Sequence, residues 1–128
     1  MANQSDVRRI ALSLPESREE EDRFAFSVRN GEKFKAFAWV WNERVQPKKP
    51  RVANPDVLAV RVRDEIDKQA LLDLGIEAFF TEPHYNNFPA ILVRLESVGF
   101  EELVELVSTG WRCQAPPSLV KRFDEGRL

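Results

Sequence analysis

Arg23-Phe24-Ala25-Phe26-Ser27-Val28-Arg29-Asn30-Gly31-Glu32-Lys33-Phe34-Lys35-Ala36-Phe37-Ala38-Trp39-Val40-Trp41 alternates with a period of two on both sides of an Asn-Gly pair. Alternation of this kind is the mark of half-buried strands, because successive side chains of a strand point to opposite faces. Phe24, Phe26 and Val28 share one face of the first strand, and Asn30-Gly31 turns the chain into a second strand running from Lys33 to about Trp41. A two-residue turn at Asn30-Gly31 sets Lys33 against Val28 and Lys35 against Phe26, which buries two charges. A three-residue loop with Gly31 left-handed pairs Phe26 with Phe34 and Phe24 with Ala36, and keeps both lysines on the opposite face. The second register is the one expected.

Towards the N-terminus, Ser5 or Asp6 caps a helix to about Ser13 with Val7, Ile10, Ala11 and Leu14 on its apolar side, and Pro15 stops it. Glu16 to Asp22 holds five acids and one base and reads as a solvated loop. Towards the C-terminus, Asn42 to Asp56 contains three prolines together with Arg44, Lys48, Lys49 and Arg51, a pattern that predicts a long, protruding basic arm. Val57 to Arg63 alternates again, with Leu58, Val60 and Val62 inward. Asp64 opens a helix through Leu74 with Ile66, Ala70, Leu71 and Leu74 on one face and Gly75 as its stop. Thr81 to Pro89 is a loop or short helical turn, Ala90 to Leu95 a fourth strand, and Phe100 to about Cys113 a helix with Phe100, Leu103, Val104 and Val107 buried. Pro116 or Pro117 opens a last helix around Leu119 and Phe123. The order predicts an α+β two-layer sandwich: a mainly antiparallel sheet of four to five strands with helices packed on one face.

At 128 residues, 43% of them hydrophobic and 31% charged, the chain fits one globular domain spanning 1–128. Met1 to Asp6 is polar and no segment approaches the ~20 apolar residues of a membrane span. Cys113 is the only cysteine, so an intrachain disulfide is impossible, and a reducing, cytoplasmic setting and a monomer are expected.

The second sheet face is where function is expected. The chosen register puts Arg29, Lys33, Lys35, Phe37, Trp39, Trp41, Arg61, Arg63 and Arg94 on it, continued by the arm with Arg44, Lys48, Lys49 and Arg51. Cations displace counterions from phosphates and aromatic rings stack on bases, so such a surface suits nucleic acid. The bland reading has the aromatics covered by the long loop or the C-terminal tail. Catalytic chemistry has little to build on: His84 is the only histidine, Cys113 reads as a half-buried helix residue, and no glycine-rich phosphate loop exists. No cofactor is expected. The acidic run lacks the ligand spacing of a calcium loop and holds a hard cation only weakly. The expectation is a non-enzymatic DNA-binding protein. Its rivals are a protein-interaction module anchored by Phe37, Trp39 and Trp41, and weak metal binding.

Four stretches follow one another in a family-like order: Ile10 to Glu16, Phe26 to Phe34, Phe79-Phe80 with Pro83-His84-Tyr85-Asn86-Asn87, and Ala90 to Leu95 followed by Leu103 to Trp111. In this the chain resembles the MmcQ/YjbR family of small bacterial proteins. The resemblance implies a frataxin-like (CyaY-like) sandwich and the family's customary label of DNA-binding protein. Family members often carry lysine where Asn87 stands and tryptophan near Ala90, so one base and one aromatic of that motif are missing here.

Overall fold

The computed structural model describes residues 2–43 and 47–127. Its elements in chain order are α1 (Gln4–Leu12), β1 (Ser17–Glu19), β2 (Ala25–Asn30), β3 (Lys33–Glu43), β4 (Val52–Arg61), α2 (Glu65–Asp73), β5 (Phe79–Phe80), a 3-10 turn (Pro83–Tyr85), β6 (Ala90–Arg94), α3 (Phe100–Gln114) and α4 (Pro117–Asp124). The strands form one antiparallel sheet in the order β1-β2-β3-β4-β6-β5. The expected α+β class with an antiparallel sheet is therefore what the chain adopts, with six strands in place of four to five.

The two extra strands lie at the sheet edges. Ser17–Glu19, in the acidic run expected to be a loop, pairs with Val28 to Phe26, and Phe79–Phe80 pairs with Val93 and Leu92. The first helix begins two or three residues early, because the Asn3 side chain accepts from Asp6 N at 3.0 Å while Asp6 Oδ2 accepts from Asn3 N at 3.1 Å. This reciprocal capping box satisfies two orphan donors at once.

Neither expected register occurs at the hairpin. Asn30 pairs with Lys33, leaving Gly31-Glu32 as a two-residue loop with Gly31 at φ +68°, the glycine-first position of a II′ turn. Val28 then faces Lys35 and Arg29 faces Phe34, until a bulge between Phe26 and Ser27 takes up one residue of β3 and pairs Phe26 with Ala38. A bulge inverts the side-chain parity beyond it. Lys33 and Lys35, on the turn side of the bulge, therefore sit on the helix-side face at the closed end of the hairpin, where both are exposed, while Trp39 lies on the other face.

The main core fills the space between the sheet and the helices. Val7, Ile10 and Leu14 of the N-terminal segment, Phe26 and Val28, Leu58 and Val60, Ile91 and Val93, and Leu103, Val107 and Trp111 are its body. Phe37 joins it with no exposed surface and is not on the outer face as expected. Trp111 is also tied down by its ring nitrogen, which donates to Pro15 O at 3.0 Å and fastens α3 to the end of the α1 segment.

The long loop expected over Asn42 to Asp56 is shorter. β3 and β4 pair out to Glu43 opposite Val52, with a second irregularity between Val40 and Trp41 that takes up Pro55, Asp56 and Val57 of β4, so that residues 47–51 precede the paired part of β4. In α2, Asp64 caps and Gly75 stops the helix as expected, Gly75 at φ +71°. The expected buried face does not hold: Ile66 is 78% and Leu74 64% exposed, while Lys68 is buried.

Candidate nucleic-acid interface

The outer sheet face is not open. Trp41, Val57, Ala59, Ala90 and Leu92 form a second, smaller core there, closed by Tyr85 and flanked by Trp39 and Phe80. Among the described residues the cover is the segment around the 3-10 turn, through Tyr85. Trp39 Nε1 donates to the Tyr85 hydroxyl at 3.0 Å, and Trp39, Tyr85 and Phe88 meet edge to face with centroids 6.2 and 5.5 Å apart. Edge-to-face contact sets the positive rim of one ring against the negative face of another. Burial pushes the Tyr85 phenol above its ordinary range, which keeps the hydroxyl protonated.

Lys68 fastens this cover. Its Nζ donates to Tyr85 O at 2.6 Å and to Phe88 O at 3.1 Å, and Glu65 Oε1 is 3.9 Å away. Burial drives the ammonium below the ordinary lysine range, opposed by the negative charge of Glu65. Sequence reading missed Lys68. Its one mark was the i, i+3, i+4 relation to Leu71 and Leu72, the α2 residues that pack on the main core.

The residues expected to form one basic face divide into three groups. At the β3–β4 tip, Lys48 and Lys49 are exposed and Arg51 donates to Asn42 O at 2.9 Å; Arg44 lies outside the described residues. At the β2–β3 turn are Arg29, whose Nε donates to Gly31 O at 3.3 Å, and Lys33 and Lys35, set on the helix side by the pairing of Lys35 with Val28. Ten residue steps of β3 separate Lys33 from Glu43, about 33 Å at ~3.3 Å per residue. The tip and the turn are thus at opposite ends of the sheet.

The third group, at the end of β4, is engaged locally. Arg63 pairs with Asp67 at 3.1 Å and Asp64 at 3.6 Å, and Arg61 Nε donates to Val62 O at 3.3 Å with its guanidinium 6.0 Å from the Phe88 ring. Arg94 keeps its expected outer face and stacks on Phe80 at 3.9 Å. Trp39 is half-buried and Trp41 only 9% exposed, so neither ring presents a free face for stacking as the sheet stands. The expected protein-binding anchor of Phe37, Trp39 and Trp41 is likewise not on the surface.

Cys113 is half-buried, and burial pushes its thiol up, which disfavours the nucleophilic thiolate. His84 is exposed on the 3-10 turn, its ring 5.7 Å from that of Tyr85. In the acidic run, Glu19 takes both Nε and Nη2 of Arg8 at 2.7 and 3.0 Å, and Glu20 accepts from the Ser27 hydroxyl at 2.7 Å. Among the described residues no group of three or more His, Cys, Asp or Glu is placed to hold a metal ion. Among them also, no helix is long and apolar enough to cross a membrane.

No family model matches the chain. A solved structure with the same fold is that of the Deinococcus radiodurans protein DR2400, which carries the domain DUF419: it matches at a TM-score of 0.62 and 22% identity over 87% of this chain and 77% of that one. Uncharacterized proteins of Mycobacterium bovis and Mycobacterium tuberculosis are 36% identical over 96% of this chain and 96% of their own length. On that likeness the chain belongs to the family of these uncharacterized mycobacterial proteins.

Proposed function

We propose that the chain is a cytoplasmic, non-enzymatic DNA-binding protein of the MmcQ/YjbR type, which holds phosphates through the tip of its β3–β4 hairpin. The family reading rests on the order of motifs from Ile10 to Trp111, and the shared fold with a DUF419 domain is consistent with it. The observation that carries the binding mode is the tip itself. Residues 47–51 read Pro-Lys-Lys-Pro-Arg, three bases with no acid between them, at the end of two paired strands and with Lys48 and Lys49 exposed. Phosphate contacts of this kind are independent of sequence and release counterions, so affinity should fall steeply with salt.

Fluorescence anisotropy of labelled duplex and single-stranded DNA across a salt series tests this reading. Lys48→Glu with Lys49→Glu should weaken binding to every sequence alike and lower the salt slope by roughly one for each phosphate no longer held. Unchanged affinity in that variant removes the tip from the mechanism, and absence of binding by the unaltered protein at low salt removes DNA as the ligand.

A further inference from the structure

Helix α2 wears its apolar stripe on the outside. Ile66, Ala70 and Leu74 recur at i, i+4 and i+8 on a single exposed face, with Ile66 78% and Leu74 64% accessible, while the helix turns Lys68, Leu71 and Leu72 inward. The stripe is about 12 Å long at ~1.5 Å per residue. Its far end opens into a groove of about 270 Å³ between α2 and α3, with Leu71, Leu74, Ile76, Phe79 and Leu106 as its apolar floor. The groove has room for one or two aliphatic side chains, and Leu74 belongs to both features. Continuous apolar surface of this shape, with a pocket at one end, is the geometry into which amphipathic helices lay their i, i+3, i+4 anchors.

Charge decides what fits. Glu102 and Glu105 line the groove and no base does. Along α2, Asp67 and Asp73 flank the stripe, Asp67 paired with Arg63 at 3.1 Å, and the one lysine of the helix is spent inward on Tyr85 and Phe88. Two copies docked stripe to stripe would set these acids against each other, and an anionic lipid surface would be repelled by them. A cationic partner would not. We propose that the α2 stripe and the α2/α3 groove dock a basic amphipathic helix of a partner protein, its apolar residues on Ile66 and Leu74 and in the groove, its lysines or arginines against Glu102 and Glu105.

The probe is a fluorescein-labelled amphipathic peptide of about 15 residues, long enough to populate helix, with leucine at i, i+3, i+4 and i+7 and lysine elsewhere. Its control has glutamate in place of lysine. Titration of the full chain, followed by anisotropy and by amide chemical shifts, should show the lysine peptide binding and the glutamate peptide failing to bind. The shifted amides should cluster in residues 65–79 and 101–109. Leu74→Asp should weaken the complex by about tenfold or more, and Glu105→Lys should weaken it through charge, Glu102 being kept because its carboxylate accepts from Gly99 N at 3.0 Å and caps α3. Leu74 and Glu105 are both exposed, and the amide spectrum of each variant reports directly on its fold. The proposal is overturned if neither peptide binds, if both bind equally, if the shifts centre on the acidic residues 19–22, or if the protein self-associates and Leu74→Asp abolishes it, which makes a second copy the occupant. DNA binding at the hairpin tip is read in a separate assay and stands or falls independently.

Discussion

An ammonium 2.6 Å from one backbone carbonyl and 3.1 Å from another, on a side chain only 3% exposed, has traded its water for protein. Lys68 holds Tyr85 and Phe88, and through them the cover of the second core. Each of those carbonyls keeps one backbone partner, Phe88 N on Tyr85 O and Ala90 N on Phe88 O, so removing the lysine strips the charge-assisted bonds without orphaning an acceptor. Lys68→Met should therefore destabilise by about 2 kcal/mol, measured by urea unfolding, and should raise amide exchange in residues 82–89. Its pH dependence carries a sign. Because burial lowers the folded-state value below 10.5, the unfolded chain binds more protons between the two values, and stability rises with pH across that window. Wild type should gain on Lys68→Met as pH climbs towards 10.5 and gain no more above it; a flat difference would mean the ammonium is as well solvated as in the unfolded chain.

The seating of α3 on the sheet depends on a residue that lacks a side chain. A Cβ at Gly110 would stand 2.8 Å from Phe37 O and 2.9 Å from Val60 Cγ1, closer than packed atoms tolerate. Alanine is the better helix former by about 1 kcal/mol, yet forcing a methyl into a filled interface costs about 1–3 kcal/mol. Gly110→Ala should thus lower the urea midpoint, and an increase would show that α3 can slide. The elements themselves were largely readable from sequence, because Val7 to Leu14, Leu58 to Val62, Ile91 to Leu95 and Leu103 to Val107 carry long, clean periods. What failed were features without a period of their own. The bulge at Phe26 and Ser27 inserts one residue of β3 and puts the lysines and Trp39 on opposite faces, and nothing in Lys33 to Trp41 marks where that happens. β1 and β5, at three and two residues, are too short to alternate. α2 misled for the opposite reason, since its most regular apolar stripe faces water. The candidate site suffered most, because a face inferred from parity inherits every error of register.

On the scale of the whole molecule the sheet has two cores, one under the helices and one under the segment around Tyr85, and the same strands β3, β4 and β6 wall both. Leu58 and Val60 face one, Val57 and Ala59 the other, so neither core can open without disturbing residues that alternate into its neighbour. Tryptophans report on each: Trp39 and Trp41 on the smaller, Trp111 on the larger. Tryptophan emission and far-ultraviolet circular dichroism should therefore give coincident urea transitions, as a single cooperative unit requires. An earlier fluorescence midpoint would show the smaller core melting alone. The six strands also end in a particular way. One outer strand is Ser17-Arg18-Glu19 and the other Phe79-Phe80, so a neighbouring copy finds at most three residues to extend on one side and two on the other. Exposed strand edges are templates for fibril growth, and short, charged ones are poor templates. The brevity that hid these two strands from sequence reading also shields the sheet between them from recruiting copies of itself into an aggregate.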